Sequence, residues 1–167
     1  MNIRFCLKAA PLALLALTAP APLTAAAPAR AVAEDPAPAK GVIRVRSTKD
    51  FDATVAAIKA DIAAKGIRFF TEIDQQALGA GAGLKVRRST LILFGNPPLG
   101  VQFLQSNPYA GLDWPVRMLV LEDEAGQVWV AWTDFDWIAE RYGITDRGPQ
   151  FRMASEVAAS IASAGNR

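Results

Sequence analysis

No histidine occurs in this 167-residue chain, and its single cysteine, Cys6, lies ahead of the first apolar run. Without histidine there is no Ser-His-Asp or Cys-His catalysis, and the usual zinc, copper and haem ligands are missing. Met118 and Met153 are the soft side chains left after the N-terminal region, and in apolar runs methionine reads as core filler rather than a copper ligand. Charge is also scarce: 18 Lys and Arg face 16 Asp and Glu. No apolar run is long enough to cross a bilayer, because the longest is short and is broken by Pro11, Pro20 and Pro22.

What is present at the N-terminus reads as an export signal over residues 1–31. Arg4 and Lys8 form a basic start, an apolar Leu/Ala run follows, and Ala29-x-Ala31 fits a small-residue cleavage site. Cleavage after Ala31 is favoured, with Ala26 as the alternative. An uncleaved anchor would need a longer apolar run. Removal of the signal takes Cys6, leaving no disulfide, no thiol nucleophile and no thiolate site. It also takes Arg4, Lys8 and Arg30 and no acid, so the mature balance is −1. That balance points to neither nucleic acid nor an anionic membrane surface. The expected location is the periplasm or outside the cell. Residues 32–40, VAEDPAPAK, read as an extended Pro/Ala spacer, and residues 41–167 as one domain.

Periodicity orders that domain. Residues 41–46 alternate as a strand. Ser47-x-x-Asp50 resembles a helix cap, and Phe51, Val55, Ile58 and Ile62 then share one helical face up to Gly66. Residues 67–73 read as a strand with Ile67, Phe69, Thr71 and Ile73 inward. DQQAL at 74–78 starts like a helix and dissolves into Gly79-x-Gly81-x-Gly83. Residues 84–93 return to a strand, whose buried end is 91–94. Pro97 or Pro98 opens a helix with Val101, Phe103 and Leu104 inward, which Asn107-Pro108 breaks. Residues 114–122 and 127–132 form a hairpin. Asp134 caps a short helix ending at Gly143, and a last helix starts at Pro149. The order predicts an α+β fold: a single domain with a small, mostly antiparallel sheet and helices packed on one face.

Three segments also carry a resemblance: LILFGNPPLG at 91–100, GLDWPVRMLVLED at 111–123 and GQVWVAW at 126–132. Together they resemble the DUF302 family of small bacterial domains of unknown function. The resemblance implies an α+β fold and a homodimer, and it implies no reaction. Relatives often carry Asp-His where this chain has Asp74-Gln75, and often an aromatic, a polar residue and Asp-Pro where it has Trp132-Thr133-Asp134-Phe135.

Five groups of residues are candidates for chemistry. The glycines 79, 81 and 83 lack the strand-to-helix setting and the Lys-Ser/Thr of a phosphate loop. Gly95 and Asn96 sit where a helix start could take an anion, although Pro97 and Pro98 remove two N–H donors, which favours a conformational corner. Asp134 and Asp136 could hold a hard cation or divide acid and base roles, and equally cap and charge a helix start. Arg117 on a strand could take a carboxylate or phosphate if it points away from the core, with Asp113 as a nearby acid. Trp114, Trp129, Trp132 and Trp137 crowd one region. Trp129 and Trp132 have opposite strand parity, so one of them faces away from the core, where an indole marks an interface or an apolar pocket.

These readings lean away from an enzyme. The first expectation is a non-catalytic exported domain that binds a small molecule or a protein through Gly95, Asn96, Asp113, Arg117, Trp129, Trp132 and Asp134. No cofactor, metal or nucleic acid is expected, and no membrane after signal cleavage. The alternatives are a carboxylate-based hydrolase or isomerase using Asp113, Asp134, Asp136 and Arg117, and a structural envelope protein.

Overall fold

A computed structural model describes residues 38–167; the expected signal and most of the spacer lie outside the described residues. The elements run β1 (Val42–Arg46), α1 (Phe51–Ala64), β2 (Arg68–Asp74), α2 (Gln75–Gly81), β3 (Ser89–Gly95), α3 (Pro97–Ser106), β4 (Val116–Glu122), β5 (Val128–Thr133), α4 (Phe135–Tyr142) and α5 (Gly148–Ala162). Short 3-10 turns at Pro108–Leu112 and Ser163–Asn166 follow α3 and α5. The five strands form one antiparallel sheet in the order β1-β5-β4-β3-β2. This is the small α+β arrangement that the element order predicted.

Strand alternation decides the faces. Ile92 and Phe94 of β3, Met118 and Val120 of β4, and Val130 and Trp132 of β5 are all buried on one side. Ile58 and Ile62 of α1 and Ala158 and Ile161 of α5 join them in the core. The opposite face carries Leu91, Leu93, Leu119, Leu121 and Trp129, all half-buried, with Ile73 exposed at its edge.

Four local expectations are corrected. In β2 a bulge between Phe69 and Thr71 reverses the alternation, so Glu72 pairs with Ile92 while Thr71 and Ile73 pair with Leu93 and Leu91 on the other face. α1 starts three residues later than Ser47 suggested, because Asp50 is its cap and accepts from Ala53 N at 2.8 Å. In α3 the inner face is Gly100 and Phe103 with Leu104, and Val101 stays 44% exposed. The strand expected over 84–93 begins only at Ser89.

Ser47 serves the C-terminus instead. Its Oγ lies 2.7 Å from Thr54 Oγ1 and donates to Gly165 O at 2.9 Å, all buried. Asn166 reaches back to Arg46 O and to Thr48 N, both at 2.9 Å. The last turn is thereby locked under the start of α1. A methyl group at Gly165 would stand 2.7 Å from Ser47 Oγ. Gly165→Ala is therefore expected to cost about 1–2 kcal/mol through overpacking. Urea unfolding checks this, and an unchanged midpoint would show that the C-terminal turn does not dock against Ser47.

Candidate functional site

The turn from β3 into α3 is built by Gly95, Asn96 and two prolines. Asn96 is the cap residue, but its side chain does not cap the helix. Its carbonyl accepts from Leu99 N at 3.0 Å and Gly100 N at 2.9 Å. With Pro97 and Pro98 carrying no N–H, this helix start has no free donor among its first four residues. An anion site on α3 is thus closed by the backbone itself.

The same turn forms one wall of a cavity of about 350 Å³. That is at the small end of the roughly 300–1,000 Å³ typical of ligand pockets. Phe94, Leu99, Phe103 and Phe135 make its apolar floor, and Met153, Ala154, Val157 and Ala158 of α5 close the other side. Lys65 supplies the single charged side chain in the lining, and it is paired with Asp61 at 2.5 Å. Met153 is 54% exposed at the mouth, so the core-filler reading of this methionine does not hold. A flexible thioether at a pocket mouth adapts to differently shaped occupants.

Trp114 shapes the cavity through two glycines. A methyl group at Gly100 would stand 1.7 Å from Trp114 Nε1, and one at Gly95 would stand 3.1 Å from Trp114 Cζ2. The missing side chains let the indole lie directly on the backbone of α3. Phe70 meets the indole edge-on at 5.9 Å. Among the described residues nothing accepts a hydrogen bond from the Trp114 indole N–H, which adds a donor to a mainly apolar lining whose other polar side chains are Asn96 and Lys65.

A second cluster forms beside the entry to β4. The Asp113 side chain is only 2% exposed. Its Oδ1 accepts from Arg117 Nη2, and its Oδ2 accepts from Arg141 Nη1 at 3.0 Å and from Tyr142 Oη at 2.6 Å. The arginine side chains remain 42% and 44% exposed. Arg141 also lies 5.1 Å from the Trp137 ring and 5.2 Å from the Tyr142 ring, which fixes its plane. Burial lifts the Tyr142 phenol above tyrosine's usual 10.0, and its hydrogen bond to Asp113 adds to the lift. Folded Tyr142 therefore holds its proton to higher pH than the unfolded chain does. Its stabilising contribution is complete below the unfolded value and is lost as pH rises through the folded one. Tyr142→Phe is expected to flatten the alkaline limb of a stability-against-pH curve above about pH 10, as that linkage requires. An alkaline limb that stays equally steep in the variant would place the titration elsewhere.

The remaining candidates lie apart from both places. Trp132 is 6% exposed and belongs to the core, while Trp129 points to the opposite sheet face. Trp129 donates its indole N–H to Asp123 Oδ2 at 2.8 Å, and the Arg44 guanidinium sits 4.2 Å over its ring. That hydrogen bond is the largest of the effects that lower the Asp123 carboxyl below its usual 3.8. Asp134 caps α4, accepting from Asp136 N at 3.0 Å, and Asp136 is exposed in the first turn. Among the described residues no three acidic side chains gather as metal ligands. The structure thus joins Asp113 with Arg117 and places Gly95 and Asn96 on the cavity, but it brings none of these to Trp129, Trp132 or Asp134. Sequence reasoning missed Gly100, Lys65, Arg141 and Tyr142. Gly100 did leave a trace, as a lone glycine inside a helical pattern, which marks close packing.

An open antiparallel sheet layered with helices on one face, with an apolar cavity at its end, defines a small single-domain α+β protein. The chain belongs to the DUF302 family: the family model described as "Domain of unknown function DUF302" matches residues 43–167. The crystal structure of an uncharacterized conserved DUF302 protein from Bacillus stearothermophilus has the same fold, with a TM-score of 0.68 over 75% of this chain and 98% of that one at 12% identity. Curated relatives are similar too. "Fluoride-specific ion channel FluC 1" of Brucella suis biovar 1 (strain 1330) is 35% identical over 104 residues, which are 62% of this chain and 41% of that protein. "Fluoride-specific ion channel FluC 2" of Brucella melitensis biotype 1 is 35% identical over 104 residues, 38% of its length. The chain spans about two fifths of the length of these relatives.

Proposed function

We propose that this domain is a non-catalytic binding module that holds a small, mainly apolar molecule in the cavity between the β3–α3 turn and α5. The observation that carries the reading is the cavity wall itself: Gly95 and Gly100 give up side chains so that Trp114 can line it with an unengaged indole N–H. An occupant with an apolar body and one acceptor would match that wall, since pockets of this kind take orientation from a few polar groups. The export signal read from residues 1–31 supports a periplasmic or extracellular setting. Among the described residues no helix is long and apolar enough to cross a membrane.

Carboxylate chemistry has less support. Asp113 already receives three donors, and Asp134 is engaged at a helix cap. One observation favours a second reading, protein association. The sheet face bearing Leu91, Leu93, Leu119, Leu121 and Trp129 is apolar and half-exposed, and a homodimer is one way to cover such a face.

Native mass spectrometry of residues 32–167, purified from the cell that makes it, tests both. A retained molecule would appear as excess mass that disappears on denaturation, and Val157→Phe, which fills the cavity from α5, is expected to abolish that excess. If the excess survives Val157→Phe, the cavity is not the site. A bare chain mass, with no saturable quenching of tryptophan fluorescence by apolar dyes, would end the ligand reading. A dimer mass would support association through the sheet face.

A further inference from the structure

We infer that Arg117 and Arg141 form a preorganised oxyanion site, separate from the cavity, that takes a carboxylate or phosphate group of a small ligand. Two guanidinium groups share the single carboxylate of Asp113, which leaves one formal positive charge uncancelled. Each guanidinium carries five N–H donors, and each uses one of them on Asp113. No other acceptor among the described residues engages either group, and both side chains are more than two-fifths exposed, so their remaining donors face solvent.

Asp113 is buried and holds Arg117 on Oδ1 and Arg141 on Oδ2, and Tyr142 donates to Oδ2 beside Arg141. The Trp137 and Tyr142 rings flank the Arg141 guanidinium. An arginine fork that is already fixed loses less freedom when it closes on an oxyanion, and its planar donors match carboxylate and phosphate oxygens. One arginine would have sufficed to neutralise Asp113. The second makes the cluster cationic at its exposed rim. Arg117 stands opposite Leu93 in the β3–β4 ladder, so the site opens onto the uncovered sheet face and not into the cavity behind Val116.

The test is NMR titration of the arginine Nε–H signals and the Trp137 indole with inorganic phosphate and, separately, with acetate. Saturable shifts are expected at Arg117, Arg141 and Trp137 with at least one probe, and the responding probe identifies the group. Arg141→Gln and Arg117→Gln are each expected to weaken that binding at least tenfold, while Arg44→Gln leaves it unchanged. Tm measured alongside shows that the variants are folded, and Arg141→Lys, which keeps the charge and loses the fork, is expected to recover only part of the affinity. Equal, unsaturated shifts at Arg44, Arg46, Arg117 and Arg141 would overturn the inference by showing general surface cations. So would binding that is indifferent to Arg141→Gln.

Discussion

Gly100→Ala is expected to be among the most damaging single-methyl additions to this domain. The new carbon would stand 1.7 Å from Trp114 Nε1 and 2.0 Å from Trp114 Cε2, distances at which the whole indole must leave its seat. Alanine would favour the helix over glycine by about 1 kcal/mol. Against that gain, overpacking costs about 1–3 kcal/mol or more, and a rigid two-ring side chain against helix backbone belongs at the upper end. The net loss expected is about 2 kcal/mol, or a melting temperature lower by roughly 6–10 °C for a domain of this size. Tryptophan fluorescence should shift toward the solvent-exposed emission as Trp114 leaves the cavity wall. A double-mutant cycle with Trp114→Ala checks the cause: the alanine at 100 should cost much less once the indole is absent. If the two losses simply add, Gly100 matters for some reason other than seating Trp114.

Asp113→Ala is the second large effect. It removes the acceptor of two arginines and a tyrosine at one stroke. Breaking a buried ion pair costs about 3–5 kcal/mol when the abandoned charges stay buried. Here the arginine side chains are 42% and 44% exposed, so both can rehydrate, and the expected cost falls to about 2–3 kcal/mol. The Tyr142 hydroxyl, which also loses its partner, accounts for about 1 kcal/mol of that. Urea unfolding should show a lower midpoint with an unchanged slope. Asp136→Ala is the control. It removes an exposed acid from the first turn of α4, so a loss of no more than about 0.5 kcal/mol is expected from the helix dipole. A loss at Asp113 as small as that control would mean that the cluster is a surface ion pair and not an anchor of the β4 entry.

Most of the secondary structure was legible because the signals are local. Asp74 and Asp134, at the starts of α2 and α4, cap them through hydrogen bonds spanning two or three residues. Alternation in β3, β4 and β5 reports burial directly, since successive side chains point to opposite faces. In β2 the same reading failed beyond Phe70, because the bulge exists only in the pairing with β3 and leaves no mark in β2 alone. Ser47 failed likewise: its partner Gly165 lies 118 residues away. Of the candidate site, Gly95 and Asn96 were legible as a special turn, but the cavity beside them was not.

The sequence by itself determined the order of elements, the antiparallel α+β class, the absence of histidine chemistry and the separation of Trp129 from Trp132 by strand parity. Each of these follows from residue type or from a period of a few residues. Only the tertiary structure decided that Trp114 lies on Gly100, that α5 closes the cavity from the far side, and that Arg141 joins Arg117 on one buried carboxylate. The physical reason is that local patterns state which side of an element is buried. A cavity or a charge cluster depends on which side chains meet from distant elements and how much volume they leave unfilled.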